Sequence, residues 1–237
     1  MKILVCIKHG GEGKEMARLD AQALEASLVL KESPPQWLQS PIEIIALTLG
    51  PRGEDILHRA LGMGADQGIW LRWGSRNIPP FETAACLADL GQDADLILTG
   101  LQSETGMSGN VAPFMGGILK CPVVLGIVEM KWGTAPDSLS LVQEMEGGIC
   151  HRLSLTLPGV LGIQSGAFIP RYPSLSNVLK ARTRPLTIQT PNFKRPGPQA
   201  LEDLGQIPPR DNRRGEDWHG SQAAHPLCQW LSKGGFI

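Results

Sequence analysis

The chain has 237 residues, with 42% hydrophobic and 19% charged side chains, the balance of a soluble globular protein. A formal net charge of −1 argues against a general binder of DNA or of anionic membranes, and a single Tyr among few aromatics leaves little to stack single-stranded bases on. Five widely spaced cysteines (Cys6, Cys86, Cys121, Cys150, Cys228) without CxxC or Cys/His spacing suggest a reducing, cytoplasmic setting and no metal site, with Cys6 and Cys121 as small buried hydrophobes.

In chain order, Lys2 to Ile7 predicts a short buried strand with no signal peptide before it. Leu19 to Lys31 predicts a helix with Asp20 and Glu25 early and Lys31 late, which suits the helix dipole. Glu43 to Leu49 predicts a second strand ending at Gly50-Pro51, and Glu54 to Met63 a helix stopped by Gly64. Gly68 to Leu71 is a third strand, Pro80 to Leu90 a helix, Ala94 to Thr99 a fourth strand, Asn110 to Leu119 a helix and Val123 to Val128 a further strand. From Lys131 on, Leu139, Leu141, Leu153, Leu155 and Leu157 alternate with polar residues, as in antiparallel strands added to a sheet edge. No apolar run approaches the ~20 residues that cross a bilayer, so no membrane insertion is expected.

Strands alternating with helices at this spacing predict an α/β fold: a mostly parallel central sheet with helices on both faces. Ligands of such sheets bind beyond the carboxyl ends of the strands, here His9–Gly13, Gly50–Gly53 and Gly100–Gly109. Residues 1–188 form the expected domain. Residues 189–237, rich in proline up to Pro209, read as an extended arm with a short helix around Leu227, Trp230 and Leu231 that lies on a partner subunit.

Two segments carry function. Gly100 to Pro113 follows a buried strand and opens a helix, with Gly106, Ser108 and Gly109 freeing backbone N–H groups for a phosphate. Without a P-loop lysine, the same residues also read as a plain glycine-rich turn. Phe168 to Arg182 begins as a loop stiffened by Pro170 and Pro173, presents Leu175 between two serines, and runs into a basic helix with Ser176 as N-cap. Between Gly147 and Leu201 there is no Asp or Glu, while Arg152, Arg171, Lys180, Arg182, Arg184, Lys194 and Arg195 are all present. Such a face suits an acidic protein partner.

Pro170-Arg171-Tyr172-Pro173-Ser174-Leu175 with its Lys/Arg-rich helix closely resembles the recognition loop of electron transfer flavoprotein beta subunits, written Pro-Arg-Tyr-x-x-Leu. Further segments resemble that family in order. They are Lys2 to Lys8, Asp20 to Glu25, Gly50-Pro51, Arg59-Ala60-Leu61-Gly62-Met63-Gly64-Ala65-Asp66, Glu144 to Gly148 and Leu157-Pro158-Gly159-Val160. In the nucleotide loop Gly100, Gln102, Gly106, Val111 and Pro113 match, whereas Thr105 and Met107 replace two family Asp residues and Asn110 a Gln. The segment from His9 to Leu19 is shorter than in the family, and Ala17 stands where the family has Asn.

The resemblance implies a Rossmann-like, adenine nucleotide alpha hydrolase-like fold and an electron carrier, not an enzyme, with no catalytic acid or base of its own. It implies AMP in this subunit, held around Cys6, Ala17, Asp20, Leu49, Gly100, Gln102, Thr105, Gly106, Ser108, Gly109, Asn110 and Val111. It further implies a heterodimer with an alpha subunit that carries most of the FAD. Electrons would pass from a flavin dehydrogenase, such as an acyl-CoA dehydrogenase, towards a quinone-linked acceptor. Docking would fall to Arg171, Tyr172, Leu175, Lys180 and Arg182, with Glu144 pairing with an alpha-subunit Arg. Two other readings stay open: a homodimeric adenine-nucleotide module of stress-protein type without flavin, and a bifurcating subunit with its own FAD.

Overall fold

A computed structural model describes residues 1–11, 15–74, 78–104, 106–191, 220 and 223–235. The chain divides into two units, Met1–Gln199 and Ala200–Ile237. The first is an open α/β sheet. Its strands are β1 (Lys2–Cys6), β2 (Glu43–Gly50), β3 (Gln67–Arg72), β4 (Leu96–Gly100), β5 (Val123–Trp132), β6 (Ser138–Glu144), β7 (Cys150–Thr156), β8 (Gly159–Ile163) and β9 (Thr187–Gln189). They lie in the order β7-β6-β5-β8-β4-β1-β2-β3-β9. All pairings are parallel except β5 with β6 and β6 with β7. The antiparallel strands form one edge of the sheet, as the leucine alternation predicts.

Period two in β1 places Ile3 and Val5 in one core and Leu4 and Cys6 in the other, so the strand is buried on both faces. Helices α1 (Arg18–Glu32) and α2 (Glu54–Met63) pack into the first core. Helices α3 (Pro80–Leu90) and α4 (Val111–Leu119) pack into the second. Helix α5 (Leu175–Arg182) lies on α2 and buries only Ala181. Gly62 faces that seam: a methyl there would stand 3.5 Å from Pro173 Cβ and 3.7 Å from Ala181 Cβ, ordinary van der Waals distances. Arg184 then closes the seam, its guanidinium donating to the carbonyls of Ala65 and Asp66.

The structure corrects the sequence reading in three places. Gly159–Ile163 is a parallel strand between β4 and β5, and Leu157 lies beyond the end of β7. Ser174, not Ser176, caps α5, accepting the Asn177 N–H at 3.2 Å, so Leu175 begins the helix instead of ending a loop. Cys121 is only half-buried. In the second unit the described helix is α6 (Ala224–Lys233), with Leu227 and Trp230 exposed. Lys194, Arg195 and the prolines from Pro196 to Pro209 lie outside the described residues. Among the described residues no helix is long and apolar enough to cross a membrane.

Candidate functional site

Parallel strands end together, and the order β4-β1-β2 sets three of those ends side by side. The loops leaving them enclose a cavity of about 790 Å³. That is within the ~300–1,000 Å³ usual for a small-molecule site. Its walls come from Cys6 to His9 after β1, from Leu47 to Arg52 around the end of β2, and from Thr99 to Ser103 and Gly106 to Ala112 around α4. Ile78, Pro80, Thr83 and Leu87 close the α3 side.

Asp20 fixes this floor. It sits in the first turn of α1, buried, and its carboxylate accepts the Lys8 N–H at 2.8 Å and the Gly100 N–H at 3.3 Å. One side chain therefore ties the ends of β1 and β4 to α1. Burial, offset by the two N–H bonds and the nearby Lys8 charge, raises its pKa to about 7. Beside it, burial and then the Asp20 charge push the Cys6 thiol up to about 12, so Cys6 contributes an apolar wall and not a thiolate.

The glycine-rich turn is shaped for close approach of a ligand. Ser103 receives the Gly106 N–H on its hydroxyl (3.1 Å) and the Met107 N–H on its carbonyl (3.0 Å). The Gly106 N–H is thereby engaged within the turn instead of facing a phosphate. Gly109 has φ +62°, and a methyl there would lie 3.4 Å from the Leu101 carbonyl oxygen. Asn110 precedes α4 without capping it through its side chain, so the first N–H groups of the helix remain for a ligand. The cavity also has cationic residues on its wall, Lys8 and Arg52, and among the described residues that line it Asp20 is the one acid. This combination suits a phosphate ester with an apolar ring.

Of the sequence-derived nucleotide residues, Cys6, Asp20, Leu49, Gly100, Gln102, Gly106, Ser108, Gly109, Asn110 and Val111 line the cavity. Ala17 does not: it is buried behind the wall, its N–H on the Lys8 carbonyl. Thr105 lies outside the described residues. His9 and Arg52 fall in the segments that the strand-end rule marks, although no motif singles them out. The α3 contribution carries no local signal.

The residues expected to dock a partner lie outside the cavity lining. Tyr172 and Leu175 are exposed, and Lys180 and Arg182 extend from α5 into solvent. Arg171 turns inward, bonded to Glu25 and Glu32 of α1. Glu144 is exposed at the end of β6, its Oε2 accepting from Gln164 Nε2 at 3.0 Å.

The electron transfer flavoprotein domain matches residues 3–192, most of the chain and, apart from Lys2, every strand of the sheet. The chain belongs to the electron transfer flavoprotein family. Within it, the chain is 28% identical over 179 residues to the electron transfer flavoprotein subunit beta of Dictyostelium discoideum, covering 74% of this chain and 68% of that one. It is 31% identical over 173 residues to the subunit beta of Bacillus subtilis, covering 70% and 63%. A third relative, the caffeyl-CoA reductase-Etf complex subunit CarD of Acetobacterium woodii, is 32% identical over 177 residues, covering 71% and 63%. The match thus spans slightly less than two thirds of the last two relatives. The matched span takes in the strands that frame the cavity and the helix α5.

Proposed function

We propose that the chain is the beta subunit of a heterodimeric electron transfer flavoprotein working in the cytoplasm. In this reading it holds AMP in the cavity and pairs with an alpha subunit that carries the redox FAD. It meets a flavin dehydrogenase, such as an acyl-CoA dehydrogenase, and electrons leave for a quinone-linked acceptor. The observation that carries the reading is the cavity itself. A glycine-rich turn, an open helix N-terminus and two cations converge there on a space of nucleotide size.

The residues fit an adenine nucleotide. The first N–H groups of α4, with Gly109 clearing the approach, would take the phosphate. Lys8 and Arg52 supply positive charge, and Leu47, Leu49, Leu87 and Val111 offer an apolar wall to a purine. The flavin of the partner supplies the redox chemistry when bound. This chain's part is to place that flavin and its donor within reach: a small apolar anchor fixes position while Lys180 and Arg182 steer encounter.

The test is a denaturing extraction of the purified heterodimer, with released nucleotides identified by mass. One AMP and one FAD per heterodimer are expected. Two FAD and no AMP would replace this reading with that of a subunit carrying its own flavin. FAD without any second nucleotide would remove the cavity from the proposal.

A further inference from the structure

In the stretch from Gly166 to Leu175, Ala167 and Phe168 pack against the core while three other apolar side chains stand out. Ile169, Tyr172 and Leu175 are 89%, 90% and 75% exposed. Between them Arg171 turns back onto α1. Its backbone N–H donates to Glu25 Oε2 at 3.0 Å, and its Nε reaches the same oxygen at 3.0 Å. Nη2 meets Glu25 Oε1 at 2.7 Å, and Nη1 meets Glu32 Oε1 at 2.5 Å. Glu25 is only 7% exposed. On either side are further pins: the Gly166 N–H donates to Gln22 Oε1 at 3.0 Å, and Pro173 packs at Gly62.

A buried carboxylate loses more when left unpaired than a surface pair gains by forming, so Glu25 holds Arg171 firmly. The fork geometry fixes the direction of the guanidinium as well as its place. With the backbone pinned at residues 166, 171 and 173, the three apolar side chains cannot fold down onto this chain's own surface. Exposed apolar groups held apart in this way are costly to a free protein and useful to a bound one. A loop already ordered before encounter gives up less entropy on binding.

We propose that Glu25 and Arg171 form a positioning pair that presents Ile169, Tyr172 and Leu175 to the dehydrogenase, and that Arg171 itself does not contact the partner's acidic surface. This rests on the docking role proposed above. Two accounts of Arg171 differ in sign at Glu25. If the stretch works through positive charge, Glu25→Gln removes a negative charge and strengthens binding to an acidic partner. If it works through positioning, Glu25→Gln weakens binding.

The experiment measures affinity of the full heterodimer for an immobilised acyl-CoA dehydrogenase, with Leu175→Ala alongside. Glu25→Gln should weaken binding about tenfold, the cost of ordering a loop on docking. The loss should persist in high salt, where steering is screened. Glu32→Gln, at an exposed carboxylate with 57% of its side chain accessible, should weaken binding less but in the same direction and is the variant to use if Glu25→Gln fails to fold. Unchanged or tighter binding by the folded variants, with Leu175→Ala still weak, would overturn the positioning pair and leave the docking role standing. Unchanged binding by Leu175→Ala as well would overturn both.

Discussion

Asp20 and Gly100 meet more closely than any residue but glycine would allow. The carboxylate Oδ1 accepts the Gly100 N–H at 3.3 Å, and a methyl on Gly100 would stand 2.6 Å from that oxygen and 2.7 Å from Leu19 Cβ. The end of β4 therefore rests directly on the first turn of α1, and the cavity floor inherits that spacing.

Gly100→Ala should separate the two. Overpacking of this kind costs ~1–3 kcal/mol. Urea melts of the isolated chain should show that loss, and nucleotide content of the heterodimer should fall with it. Unchanged nucleotide content would mean that the ligand does not depend on the β4–α1 spacing.

The pH dependence has a definite sign. Asp20 has a folded pKa of about 7 against an ordinary value of 3.8, so the folded chain holds a proton that the unfolded chain has released. The stabilising contribution is full below about 3.8 and declines as pH rises through about 7. Thermal melts from pH 4.5 to 7.5 should slope downward in the wild type and flatten in Asp20→Asn. Equal slopes would show that another group sets the profile.

Gly109→Val places a β-branched side chain at φ +62°, a conformation it rarely adopts, and aims its Cβ at the Leu101 carbonyl. The purified heterodimer should lose its second nucleotide while keeping the FAD of the alpha subunit. Mass analysis of the extract reads both at once.

Leu175 is 75% exposed at the first position of α5, so its removal disturbs no core of this chain. Burying a Leu in a partner is worth ~1.5–3 kcal/mol, or about tenfold to a hundredfold in affinity. Leu175→Ala should slow electron transfer from the dehydrogenase at subsaturating concentration, with the melting temperature unchanged. Charge reversal at Arg182 should instead lower the association rate, most at low salt. Transfer at the wild-type rate by Leu175→Ala would remove it as the anchor.

Truncation tests the second unit. A cut after Thr190 keeps β9 on β3 and removes α6 with the exposed Leu227 and Trp230. The shortened chain should give a cooperative melt yet pair more weakly with its alpha subunit in sedimentation runs. Unchanged pairing would show that the removed residues are not part of that interface.

The alternation of strands and helices from β1 to α4 is legible because each element carries its own signal: β-branched buried runs, Gly64 after α2, Pro80 at the start of α3. Strand β8 is not, because five residues between Pro158 and Gln164 gain their place from neighbours some sixty and forty residues earlier. Ser174 and Ser176 are equally good caps on paper, and the packing of α5 on α2 decides between them. The cavity is legible where glycines and strand ends mark it, and hidden at Thr83 of α3 and at Ile78 just before that helix. For Arg171 the local signal misleads. A basic residue in a docking-like loop invites an outward reading, and its partner Glu25 stands 146 positions away in sequence.

The position of β8 also shapes how the chain is made. Emerging from the ribosome, β1 to β4 can pair among themselves, but β4 must wait for residues 159–163 before its outer edge is covered. Strand β9, at the far side of the sheet, comes later still. Until then the nascent sheet offers open parallel edges to any neighbouring chain, the usual route to misassembly. Pairings between residues so distant in sequence are those that topology makes slow to form.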